Sequence, residues 1–407
     1  MLPLNMEPSS WSESIHSSNR KHILHSSSPT VIKIIHIVEN LDRGAVENWL
    51  VRMLRHANSR GIQLNWTFYC ALGKAGCLDD EVRNLGGNII YSPVPICQKW
   101  AFIKALRQDL KDGSYAVLHC HHDLISGIYL IAALGLPIRK RLVHAHNADE
   151  AVLTHSPRKQ YLFRPALRQI CLRLADGIIG VSNHTLDTLL AGRPRRQSLD
   201  RVHYYGIDPT AFLEAKADRR EFRDQVGLSA DAIILLFAGR LVPEKNPGFV
   251  LNVLGELLKL EPEAVGVFVG SGIEEVALQE RAVKMGMEKQ TRFLGWRTDI
   301  PEIMCCCDWF ILPRPEKPME GFGIAVVEAQ LAGLRLLLSE GIPDDPLLPG
   351  SCVRRLSLSE PAATWAQEAQ ELMAEATSGC GEAAAALAIS PMAMDDALSD
   401  LLRVYEV

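Results

Sequence analysis

Val31-Ile32-Lys33-Ile34-Ile35-His36-Ile37-Val38 is a β-branched run followed by a turn over Glu39 to Gly44, and then by Trp49, Leu50, Met53 and Leu54 at helical spacing. It reads as strand, loop, helix. The same alternation continues with strands predicted at Leu64 to Cys70, Asn88 to Ser92, Ala116 to Cys120, Arg141 to His146 and Gly177 to Val181. Helical patterns separate them at Trp100 to Lys111, Arg158 to Arg173 and Thr185 to Leu190. The series restarts at Ala232 to Ala238 and runs through strands at Val265 to Val269, Thr291 to Leu294, Trp309 to Leu312 and Leu334 to Ser339. Helices at Pro247 to Leu260, Glu274 to Gly286 and Ile324 to Ala332 intervene. Strands alternating with helices predict a parallel sheet covered on both faces. Two such series predict two doubly wound α/β domains, with a hinge in Val202 to Pro209. The expected division is a disordered leader over 1–30, a first domain over 31–206 and a second over 207–407.

The 407 residues carry 47% hydrophobic and 22% charged side chains, a globular composition that excludes collagen-like, coiled-coil and low-complexity classes. A net charge of -5 argues against nucleic acid as a partner. The ten cysteines are scattered without a CxxC pair, which suits a reduced cytoplasmic protein, and Cys305-Cys306-Cys307 reads as small apolar filler. The first 30 residues hold nine Ser and lack the apolar run of a secretory signal. The stretch Leu124 to Pro137 is interrupted by Ser126, Gly127 and Gly135 and is too short to cross a bilayer.

Open α/β sheets bind ligands beyond the carboxyl ends of their strands, so the loops after strands carry the chemistry. After Ala238 comes Gly239-Arg240-Leu241-Val242-Pro243-Glu244-Lys245-Asn246-Pro247, which opens a helix at Pro247. Arg240 can fork onto two phosphate oxygens while Lys245 supplies a point charge; the alternative is a solvated basic loop. After Leu312 comes Glu320-Gly321-Phe322-Gly323-Ile324-Ala325-Val326-Val327-Glu328. Its glycines let the backbone approach a ligand, and the helix starting near Ile324 offers free N–H groups to an anion. Glu328, one turn in, can take two vicinal hydroxyls or merely complement the helix start. Val269-Gly270-Ser271-Gly272 lacks the third glycine of a dinucleotide fingerprint and reads as a tight turn. Trp296, after another strand, either flanks a base or packs in a core.

In the first domain, Gly44 precedes a helix and can bring its amide to an anion. His119 lies at the end of one strand with His121 and His122 just beyond it, and His144 and His146 lie at the end of another. No HExxH or mixed Cys/His spacing accompanies them, so contact with a polar substrate is expected and a metal is not.

Together these motifs resemble the family 4 retaining nucleotide-sugar glycosyltransferases, with the GT-B fold: two Rossmann-like doubly wound domains facing across an interdomain cleft. The resemblance covers most of 31–350 and rests on GRLVPEKNP, VFVGSG, RFLGWRTDIPEIM and EGFGIAVVEAQLAGL in the family's order. It implies Glu320 at the donor sugar, Glu328 on the ribose, and Arg240 and Lys245 on the diphosphate, with Phe322, Gly323 and Ile324 completing the donor site. The family's Gly-Gly-Ala-Glu loop corresponds to Arg43-Gly44-Ala45-Val46-Glu47, which places Gly44 beside the donor. The family's active-site His falls at His121, with His119 and His122 competing.

The implied reaction moves a sugar from a nucleoside diphosphate sugar to a hydroxyl of a glycan or lipid-linked acceptor, with retention, in exopolysaccharide or lipopolysaccharide synthesis. No cofactor or obligatory metal is implied. The segment from Arg139 to Arg201 holds 12 basic residues against 5 acidic, whereas Glu360 to Val407 holds 1 against 9. In Arg158 to Arg173, Lys159, Arg164 and Arg168 interleave with Tyr161, Leu162, Phe163, Leu167 and Ile170. Peripheral contact with an anionic membrane at the inner face is therefore an expectation, beside the plainer one of a helix packed on the sheet. Other readings are a nucleotide-sugar epimerase of the same architecture and a noncatalytic sugar-binding member. The charges Arg314, Glu316 and Lys317 have no assignment from sequence.

Overall fold

The computed structural model describes residues 32–42, 44–147 and 157–406, with the side chains of 157–162 excepted. The expected leader and Arg43 lie outside the described residues.

Seven strands form the first sheet: β1 (Lys33–Val38), β2 (Asn65–Cys70), β3 (Asn88–Tyr91), β4 (Val117–Cys120), β5 (Lys140–Ala145), β6 (Gly177–Gly180) and β7 (Arg201–Val202). Six form the second: β8 (Ile233–Ala238), β9 (Ala264–Val269), β10 (Thr291–Gly295), β11 (Trp309–Leu312), β12 (Arg335–Ser339) and β13 (Val353–Leu356). Their orders are β3-β2-β1-β4-β5-β6-β7 and β10-β9-β8-β11-β12-β13, and every pairing is parallel. Both sheets therefore reverse direction once, between β1 and β4 and between β8 and β11. A crevice opens at each such reversal. The loops after these four strands hold Gly44, His121, Arg240 with Lys245, and Glu320.

Alternation along the strands divides the first sheet cleanly. Ile35, Ile37, Leu118, Cys120, Val143, Ala145 and Ile178 share one core, whereas Ile34, Val38, Val117, Leu142, Ile179 and Val181 face another that continues into the second domain. Burying such side chains contributes about 1.5–3 kcal/mol each. The second sheet is apolar on both faces, as a sheet sandwiched between helices requires: Ile234 to Phe237 and Phe310 to Leu312 are nearly inaccessible.

The last helix departs from the expected division. Met394–Tyr405 returns to the first sheet, where Tyr405 Oη meets His119 Nδ1 at 2.8 Å and Asp400 pairs with Arg201 and His203. The second domain thus does not extend unbroken to 407. The hinge segment also forms less strand than expected, since only Arg201–Val202 pairs with β6. The helices Ala362–Met373 and Cys380–Ala388, and strand β13, lie beyond the region where sequence periodicity was legible.

All ten cysteines are free, and Cys306 and Cys307 are buried at the end of the helix Ile300–Cys305. The apolar stretch after Leu124 becomes the short helix Ser126–Ala132. Among the described residues no helix is long and apolar enough to cross a membrane.

Candidate active site

Lys245 closes a 3-10 turn, Pro243–Lys245, and Asn246 follows at φ 50°, its amide donating to Pro313 O at 3.2 Å. Pro247 then starts the helix Pro247–Leu257, as its sequence position requires. This path aims Lys245 at the loop after β11. Its Nζ donates to Glu320 Oε2 at 2.6 Å, and Arg314 Nη1 approaches the same oxygen at 3.4 Å. Arg314 is itself buried and anchored, donating through Nε to Pro318 O at 2.9 Å and through Nη2 to Met319 O at 3.3 Å. Burial pushes the Glu320 carboxyl up, but Lys245, Arg314 and Arg240 outweigh it and hold the group below its ordinary range. The same burial pushes Lys245 down, opposed by Glu320.

Arg240 is exposed, and its side chain makes no hydrogen bond or ion pair among the described residues. Arg240, Lys245 and Arg314 set against Glu320 leave a surplus of positive charge at the mouth of the second sheet. A diphosphate suits that surplus.

The Glu320-Gly321-Phe322-Gly323 turn is built by close approach. A Cβ on Gly321 would lie 2.1 Å from His146 O, so only glycine lets this loop meet the end of β5. Gly323, at φ 95°, precedes the helix Ile324–Leu331. Phe322 is 2% exposed, and its ring packs on Tyr205 and Tyr204 at centroid distances of 5.5 and 5.9 Å. Its backbone alone can meet a ligand. Glu328, one turn into the helix, has no side-chain hydrogen bond among the described residues. Burial raises its carboxyl, opposed by Arg52 of the first domain.

The glycines of Gly270-Ser271-Gly272 serve a neighbouring loop. Side chains there would collide with Gly239 O and Leu241 O, each at 2.1 Å. Trp296 is half exposed at the carboxyl end of β10, so it is not core.

Two first-domain expectations change. Gly44 precedes the helix Ala45–Ser59, but a Cβ there would sit 2.0 Å from Glu47 Oε2. The chain's own carboxylate therefore occupies the anion position at this helix start. Burial raises Glu47 to about 7, opposed by its own backbone hydrogen bond and reinforced by Glu39 and Asp42. His121 has neither ring nitrogen free for a substrate: Nε2 meets His36 Nδ1 at 3.1 Å and Nδ1 meets His146 Nε2 at 2.9 Å. His119 is engaged by Tyr405 and His122 by Tyr129. The expected basic helix is present as Pro157–Leu174, with Phe163 half exposed and Lys99 Nζ 4.6 Å over its ring. Lys159, Tyr161 and Leu162 have side chains outside the described set.

Arg314 and Arg52 are the site residues the sequence reading missed. Arg314 follows β11 by two residues, a position at the carboxyl edge that could have singled it out. For Arg52 the local sequence held no signal, because its partner is 276 positions away across the cleft.

The description "Glycosyltransferase Family 4" matches residues 46–211, and "Glycosyl transferases group 1" matches 218–343. The chain belongs to the family 4 type of glycosyltransferase. This glycosyltransferase is 27% identical to EpsF of Bacillus subtilis over 346 residues, 82% of this chain and 86% of that one. It is 28% identical over 275 residues to an Escherichia coli UDP-Gal:alpha-D-GlcNAc-diphosphoundecaprenol alpha-1,3-galactosyltransferase, covering 64% and 67% of the two chains. The Anabaena protein HepE, solved with UDP-glucose, superposes on the glycosyltransferase with a TM-score of 0.72 at 18% identity, over 91% of this chain and 99% of that one. The shared architecture is the GT-B fold.

Proposed function

We propose that this glycosyltransferase moves a sugar, with retention, from a nucleoside diphosphate sugar to a hydroxyl of a glycan or lipid-linked acceptor during synthesis of a cell-surface polysaccharide. The observation that carries the reading is the Lys245–Glu320–Arg314 cluster with Arg240 unpaired beside it. The diphosphate is received by Arg240, Lys245 and the start of the helix Ile324–Leu331, which stabilise the charge that grows as the sugar leaves. Glu320, kept ionised by Lys245, Arg314 and Arg240, steadies positive charge developing on the sugar. Glu328, with lone pairs unused by the protein, accepts from the ribose hydroxyls. In a same-face path the departing phosphate takes the acceptor's proton, so no side chain acts as nucleophile and no obligatory metal is needed. His121 acts by holding His146 and the cleft floor rather than by touching the donor.

One relative, named for a diphosphoundecaprenol-linked acceptor, supports a lipid-linked acceptor here. The exposed Trp100, next to the Lys99–Phe163 contact, supports docking on an anionic membrane at the cytoplasmic face. Liposome flotation tests that part, and absence from anionic vesicles removes it.

The principal experiment follows nucleotide release from UDP-, GDP- and ADP-sugars with lipid-linked and oligosaccharide acceptors, and assigns the product anomer by NMR. Glu320→Ala is expected to abolish turnover nearly completely. Release of an isomerised sugar without acceptor, or an inverted product, overturns the proposal.

A further inference from the structure

Parallel pairing puts opposite residues on one face, and β1 and β4 pair His36 with His119. His121 lies two residues beyond His119 on that face. β5 joins β4 with Leu142 opposite His119, which brings His144 and His146 onto the same side. Five histidines thus share the inner face of the first sheet, each at most 5% exposed, under Trp49, whose ring centroid lies 6.0, 5.3 and 5.9 Å from those of His121, His144 and His146.

Their hydrogen bonds form a chain with gaps. Tyr205 Oη meets His146 Nδ1 at 2.7 Å, His146 Nε2 meets His121 Nδ1 at 2.9 Å, and His121 Nε2 meets His36 Nδ1 at 3.1 Å. His144, fully buried, has no partner on either nitrogen. A buried ring with both nitrogens unsatisfied calls for a group that binds it.

We propose that His121, His144 and His146 bind one divalent transition-metal ion of the imidazole-preferring class, zinc being the test ion. One nitrogen from each ring lies within 4.8 Å of the others. His121 and His146 each have the outer nitrogen fixed, by His36 and by Tyr205, and turn the inner one toward the other, which is how supporting hydrogen bonds orient metal-bound imidazoles. Tetrahedral ligands at about 2.0–2.1 Å from zinc stand about 3.3 Å apart, so the 2.9 Å gap needs to open by only a few tenths of an ångström. Burial holds His146 at about 3 and His121 and His144 well below the usual range, which keeps the rings in the neutral, ligating form. Cys120 faces the opposite core, so the set contains no thiolate. Asp123 Oδ1 accepts from the His146 backbone N–H at 2.8 Å and puts a carboxylate behind the ligand. His36, His119 and His121 form a second grouping of similar size, but it shares His121 and has no ring that is wholly unpartnered. The ion would sit behind the cleft floor, where His146 O receives Gly321, and would stiffen it.

The test uses the full chain without a histidine tag, stripped with chelator and titrated with zinc, with Co2+ as a spectroscopic probe. The expected result is about one ion per chain, tetrahedral Co2+ absorption, and a zinc-dependent rise in the unfolding midpoint. His144→Phe, or His144→Gln if the first does not fold, is expected to weaken binding by about tenfold or more, and His184→Ala to leave it unchanged. Folded wild-type chain that binds no zinc and shows no midpoint shift overturns the proposal. So does equal binding in the wild type and the folded His144 variant. Nucleotide release is not read, so failure here leaves the transferase reading untouched.

Discussion

Lys245 and Glu320, 75 positions apart and from loops after two adjacent strands, meet at 2.6 Å with both side chains largely buried. Arg314 Nη1 approaches the same carboxylate oxygen at 3.4 Å and is the more deeply buried of the two cations, so in the proposed reading Lys245 meets the donor and Arg314 does not. Their substitutions should therefore separate.

In the proposed reading Lys245→Ala removes a cation that Glu320 shares with the incoming diphosphate. Donor KM should rise and kcat fall together, read from steady-state nucleotide release. An unchanged KM would show that Lys245 does not face the donor.

Arg314→Gln leaves Glu320 with Lys245 as its single ion-pair partner and strips the Pro318 and Met319 carbonyls of their donor. Breaking a buried ion pair from one side costs about 3 kcal/mol, visible in urea unfolding. The accompanying loss should fall mainly on kcat if Glu320 meets the sugar as proposed, since Arg314 reaches the site through Glu320.

Glu47 makes stability fall with rising pH. Its folded pKa, raised from 4.5 to about 7, means that the folded chain holds more protons than the unfolded one between those values, so stability present at low pH is lost across that window. The full span is at most about 3 kcal/mol. Asp123, raised to about 6 by burial, slopes the same way, so the test is the difference between wild type and Glu47→Gln in midpoints measured from about pH 5 to pH 8. Parallel curves would dismiss Glu47 as the source.

Gly321→Ala drives a methyl into His146 O and must lift the catalytic loop from the first domain. Displacement of this size costs about a hundredfold in turnover. Activity close to wild type in a folded Gly321→Ala would show that the loop does not need this contact.

Tyr405→Phe deletes the hydrogen bond to His119 and should cost about 1 kcal/mol, whereas Tyr405→Ala should cost about 3–5 kcal/mol by opening a cavity. Chemical denaturation distinguishes the two.

Strands and motifs were legible because each is written locally: Ile233 to Ala238 is an apolar run, Pro247 marks a helix start, and glycines flank Phe322. Arg240, Lys245, Glu320 and Glu328 could be singled out for the same reason. Illegible features depend on which distant side chain arrives. Nothing near Gly44 shows that Glu47 folds back over it, and the spacing of His119 and His121 does not disclose that both meet partners from other strands. The two-residue spacing in each histidine pair did carry a usable signal, since it places both rings of a pair on one face of a strand. The acidic composition after Glu360 gave no hint that Tyr405 completes the first core.

The return of Met394–Tyr405 sets an order of events on the ribosome. His119 waits 286 residues for Tyr405, so during synthesis the first sheet keeps an uncovered groove until the helix Met394–Tyr405 has emerged. Maturation of the two halves is coupled rather than sequential, and late translational arrest would release a chain whose first half is exposed to chaperones and proteases.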